Sequence, residues 1–106
     1  MNYCYTNSQR HGSCCFEFQC GRFQGVYWKN TSIYLDADDF DRLRLYKIFP
    51  PEFQYYGETV ITAEQWNQIC LDARRIGGEM KKVIDELDVW AQNCFQTQAE
   101  FTILGI

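Results

Sequence analysis

Apolar residues recur at helical spacing in the second half of the chain and at strand spacing in parts of the first. Over residues 62–76, Trp66, Ile69, Cys70, Ala73 and Ile76 fall at i, i+3, i+4 and i+7 steps, which predicts an amphipathic helix. Thr62 followed by Gln65 is a capping-box pattern at its start. Arg74 and Arg75 lie in the last turn, where cations suit the helix dipole. Gly77-Gly78 then breaks or kinks the helix. A second helix is predicted over 79–95, with Met80, Val83, Ile84, Leu87, Trp90, Ala91 and Cys94 on one face. Lys81/Asp85 and Lys82/Glu86 would pair across its wet face. Each helix has an apolar stripe and needs a surface to cover, most simply a sheet.

The strand signals supply that sheet. Residues 14–20 alternate, with Cys14, Phe16, Phe18 and Cys20 on one face and Cys15, Glu17 and Gln19 on the other. Further strands are predicted at 26–28 and 33–35, giving a meander of three short strands. Residues 58–61 read as a brief edge strand and 100–106 as a terminal one. The middle admits two readings: a short helix capped by Asp36 or Asp38 and running to about Phe49, or an alternating strand over 42–48. Pro50-Pro51 ends either. The expected fold is α+β: a small antiparallel sheet with two amphipathic helices packed on one face and a C-terminal strand, in a single domain over 1–106.

Composition narrows the class. With 106 residues, 46% hydrophobic and 23% charged, the chain has the make-up of one folded domain. No apolar run approaches a membrane span, and the first residues show no secretory pattern, so a cytoplasmic location is expected. The net charge of −4 argues against nucleic acid or an anionic membrane as a direct partner and favours a basic protein. In a reducing compartment the six cysteines, which form no CxxC pair, are expected to be free thiols.

Candidate chemistry is sparse. A Cys–His nucleophilic pair would have to use His11, the single histidine, with Cys4, Cys14, Cys15 or Cys20. Cys4, His11, Cys14 and Cys20 could also be read as zinc ligands, but their spacing lacks the short knuckles of structural zinc sites. No catalytic residue, metal or cofactor is assigned. Cys70, Cys94, Trp66 and Trp90 lie on the helical stripes and are expected in the core. Asp36, Asp38, Asp39 and Asp41 place four carboxylates in six residues, beside a stiff proline loop bearing tyrosines. Capping accounts for part of this cluster. The rest suits a protein-binding surface, for which the candidates are Asp36, Asp38, Asp39, Asp41, Glu52, Tyr55, Tyr56 and Glu58.

The second half also resembles a known group. A short strand feeding the Trp66 helix, the Ile76-Gly77-Gly78 junction, the Val83-Ile84-Asp85-Glu86-Leu87 helix bearing Trp90, and the ending Phe101-Thr-Ile-Leu-Gly-Ile106 are similar to immunity proteins of bacterial contact-dependent growth inhibition and related polymorphic toxin systems. The resemblance covers residues 58–106. It implies a cytosolic, non-enzymatic protein that binds a toxin domain, often a basic nuclease, and blocks it. The alternative is a small thiol-dependent or zinc-binding protein using the N-terminal cysteines.

Overall fold

The computed structural model describes residues 3–9, 15–45, 48–49, 53–54 and 56–105. In chain order these form β1 (Cys4–Tyr5), a 3-10 turn (Asn7–Gln9), β2 (Cys15–Cys20), β3 (Ile33–Asp36), α1 (Ala37–Leu45), β4 (Glu58–Thr62), α2 (Ala63–Ile76), α3 (Gly78–Phe95) and β5 (Glu100–Leu104). The strands make one antiparallel sheet in the order β1-β3-β2-β5-β4. The fold is the expected α+β one, with the C-terminal strand placed inside the sheet and β4 at its edge.

Strand alternation sorts the sheet into two faces. Register sets Phe16 opposite Leu35, Phe18 opposite Ile33 and Ile103, and Phe101 opposite Cys20 and Ile61. These side chains form the inner face, covered by Phe40 of α1 and the apolar stripes of α2 and α3. Phe16 stacks on Phe40 with ring centroids 4.1 Å apart. Trp66 and Trp90 each meet Phe101 edge-on at 5.3 Å. Trp66 is fully buried, whereas Trp90 is half-buried and sends its indole N–H to the Thr31 carbonyl.

The helices begin and end as their sequences require. Thr62 Oγ1 accepts the Gln65 N–H and Gln65 Oε1 accepts the Thr62 N–H, completing the capping box. Gly77, at φ 76°, separates α2 from α3 in a conformation that side chains with a Cβ avoid. Across that junction Arg74 reaches Asp85 at 2.9 Å and Asp88 at 3.0 Å, while the Trp66 indole donates to Asp88 at 2.8 Å. Lys81 pairs with Asp85 as expected. Glu86, expected beside Lys82, accepts the backbone N–H groups of Tyr3 and Cys4 and so fastens β1 to α3.

One open alternative closes and two expectations change. The middle segment is helical over Ala37–Leu45, with Asp38 and Asp39 in its first turn and Phe40 buried. The strand expected at 26–28 is absent: β2 pairs directly with β3, and Trp28 sits in the left-handed region at φ 59°, which no strand residue occupies. The cysteines are not all free. Cys20, at the end of β2, and Cys94, in the last turn of α3, form a disulfide with Cα atoms 5.5 Å apart. Separated by 74 residues, the two meet only through the packing of helix on sheet, which their spacing in sequence does not reveal. Cys4, Cys15 and Cys70 are buried and take no part in a disulfide.

Candidate functional site

Among the described residues, no helix covers the outer face of the sheet. A single row of paired residues crosses all five strands there: Tyr5, Tyr34, Glu17, Leu104 and Glu58. The segment between β2 and β3 folds over the middle of this row, and Glu17 is what holds it down. Its carboxylate accepts the backbone N–H of Trp28 at 2.8 Å and of Lys29 at 3.0 Å. It also accepts Ser32 Oγ at 2.6 Å and Gln19 Nε2 at 2.8 Å, and lies 3.3 Å from the Tyr34 hydroxyl, whose single proton has a nearer acceptor in the Lys29 carbonyl at 3.0 Å. Gln19 bridges onward to the Val26 carbonyl. Glu17 is only 2% exposed, yet every one of these donors is neutral. Burial alone would raise its carboxyl, but the hydrogen bonds from Ser32, Lys29, Trp28 and Gln19 outweigh it and hold the group below its ordinary range. Glu17 is therefore a buried anion at neutral pH.

Trp28 is the residue this arrangement positions. A bulky side chain at positive φ is a backbone outlier, costing about 1–2 kcal/mol relative to ordinary conformations. The outlier is held from three sides. Its N–H is on Glu17, its carbonyl accepts Asn7 Nδ2 at 3.0 Å, and its ring stacks on Tyr34 at 5.9 Å. Tyr34 in turn stacks on Tyr5, whose hydroxyl donates to Asp36. Phe23 and Tyr27 pair at 4.9 Å farther along the same loop.

Between this aromatic loop and the turn at Tyr56-Gly57 lies a cleft of about 490 Å³. Phe23, Tyr27, Trp28 and Tyr56 line it, along with the carboxylates Glu17 and Glu58, while Cys15, Leu104, Gly57 and Gly105 complete the lining. The Gly105 N–H donates to the Gly57 carbonyl at 2.7 Å and fixes the turn against the end of β5.

The eight residues expected to bind a partner do not gather in one place. Tyr56 and Glu58 line the cleft. Asp36 ends β3, three strand steps from β4, or about 14 Å. Asp38 is exposed on α1, with Asp39 and Asp41 half-buried beside it. Glu52 and Tyr55 lie outside the described residues. Sequence reading missed Glu17, Phe23, Tyr27, Trp28 and Leu104 as site residues. For Phe23, Tyr27 and Trp28 the signal was the density of aromatics in the first half of the chain, around Gly21 and Gly25; Glu17 and Leu104 carried none.

The alternative chemistry fares differently. Burial, then the charge of Glu86, pushes the Cys4 thiol well up; burial, then the charge of Asp88, pushes Cys70 up to about 12. Neither is a thiolate at neutral pH. Cys20 is engaged in the disulfide, and His11 and Cys14 lie outside the described residues. Among the described residues no helix is long and apolar enough to cross a membrane. No family model, curated protein or solved structure matches the chain.

Proposed function

We propose that this chain is a binding protein that neutralises a toxin domain by covering it, and that it does so with the outer face of its sheet. One observation supports this most. Four of the seven exposed large hydrophobic side chains among the described residues, Val26, Tyr27, Trp28 and Tyr56, belong to the aromatic loop and the facing turn. Rigid tyrosine and tryptophan side chains around a cleft are the usual anchors of a protein interface, because they bury much area with few torsions to freeze. A surface of that kind, held in a strained backbone by a buried carboxylate, costs stability that an isolated fold has no need to give up.

Charge points to the partner. The chain carries 14 acidic against 10 basic residues, so a basic toxin domain such as a nuclease would be steered toward it. Asp38 and Glu58 add exposed negative charge. The resemblance implies a cytosolic protein, which sets the place of action as the cytoplasm under this reading. There the Cys20–Cys94 bridge, of a kind that persists in oxidising surroundings, must be dispensable for binding. It attaches to the inner face of β2, away from the cleft.

The test is growth rescue. Cells producing the cognate toxin domain should survive when the chain is co-produced and die when it carries Tyr27→Ala with Trp28→Ala. Circular dichroism of the variant should show an intact fold. Full protection by the folded double variant would contradict the assignment of this face.

A further inference from the structure

We infer that the cleft receives an arginine side chain of the protein partner, an assignment that rests on the toxin-binding reading and sharpens it. The described lining holds two carboxylates and four aromatic rings but no lysine, arginine or histidine. Lys29, next to Trp28, meets Glu17 through its backbone amide, and Arg22 is paired with Glu100 at 2.6 Å. Among the described residues, the cleft is thus an anionic pocket whose negative charge has no cation within its own lining. Glu17 supplies a fixed anion at the floor, satisfied by dipoles alone, and the exposed Glu58 supplies a second at the rim.

The aromatic walls select among cations. A guanidinium is planar, delocalised and weakly hydrated, so it stacks on indole and phenol rings and still offers paired N–H groups to a carboxylate. An ammonium is compact and strongly hydrated, and it loses more on entering such walls. Leu104 offers an apolar contact for the methylene stem. At about 490 Å³ the space exceeds one side chain, leaving room for the backbone on either side of it.

Three capped tripeptides serve as probes, with arginine, lysine or citrulline between two glycines. Binding is followed by the NMR shift of the Trp28 indole N–H. The arginine peptide should give a saturable shift at millimolar concentration and bind severalfold tighter than the lysine peptide. The neutral citrulline peptide should bind weakest. Glu58→Gln and Tyr56→Ala, both at exposed positions, should each weaken the arginine peptide roughly two- to fivefold. Equal binding of the citrulline peptide, or shifts that avoid Trp28, would overturn the assignment. If no peptide binds while the native chain still neutralises its toxin, the guanidinium assignment falls and the toxin-binding reading stands. If the arginine peptide binds as expected while the Tyr27/Trp28 double variant still protects cells, the pocket stands and the reading of this face falls.

Discussion

The two faces of the sheet are held by different physics. The inner face is apolar burial: rings and aliphatic side chains from β2 to β5, with Cys4 of β1, press against three helices, and each contact is one of many. The outer face is organised chiefly by one charged group, with Asn7, Gln19 and Tyr34 assisting. Glu17 gathers the donors that fold the loop over β2 and β3, and Trp28 takes up its strained position as a result. Cores built from many small contacts tolerate loss gradually, whereas a loop organised by one charge is open to abrupt change. This asymmetry suits a protein whose inner face keeps the fold and whose outer face meets a partner.

Breaking the inner face should have the largest effect. Trp66→Ala removes a fully buried ring from its contact with Phe101 and strands Asp88 without its indole donor. A loss of about 3–5 kcal/mol is expected in denaturant unfolding. A loss below about 1 kcal/mol would mean the inner face is far more plastic than its packing implies. Opening the bridge comes next. Cys20→Ser with Cys94→Ser releases a long loop closure and should cost about 2–4 kcal/mol, with peptide binding in the cleft unchanged. Weakened binding in that variant would show that the two faces are coupled.

Acid sharpens the contrast. Glu17 is held below its ordinary range in the folded chain, so its contribution is complete above the unfolded carboxyl value and is lost as pH falls through the folded one. Asp85 and Asp88 are depressed as well and lose their contribution in the same direction. For Asp85 the hydrogen bond from Lys81 leads. For Asp88 burial works the other way and is outweighed by the bonds from Gln92, Trp66 and Arg74. The wild type should therefore lose stability below about pH 4, and Glu17→Gln should lose less over the same interval. Parallel curves would remove Glu17 from the account. The smallest effect concerns the backbone alone. Trp28→Gly should be more stable than Trp28→Ala by about 1 kcal/mol, because only glycine occupies φ 59° without strain.

The same contrast explains what could be read from the sequence. Inner-face residues announce themselves by period: Phe16 and Phe18 by alternation, Trp66, Ile69 and Ala73 by helical steps. Capping at Thr62 and the break at Gly77 are equally local signals. The outer face has no period. Val26, Tyr27 and Trp28 have strand-like composition, and only a carboxylate eleven positions before Trp28 turns them into a loop. Glu17 itself reads as the wet side of an alternating strand until the loop covers it. The disulfide escaped for a related reason, since Cys20 and Cys94 are neighbours only once α3 has docked on the sheet. Of the acidic stretch, Tyr56 and Glu58 reach the cleft because β4 lies beside β5, a pairing that adjacency in sequence does not imply.

Backbone amide hydrogen exchange in Glu17→Gln reports on the carboxylate's hold over the loop residue by residue. The amides of Trp28 and Lys29 donate to this carboxylate, and hydrogen bonds to a charged group contribute about 1.5–3 kcal/mol. Exchange at those two amides should accelerate roughly tenfold or more in the variant, while the amides of α2 and α3 keep their wild-type protection. Unchanged protection at Trp28 and Lys29 would contradict the view that one buried charge builds the outer face.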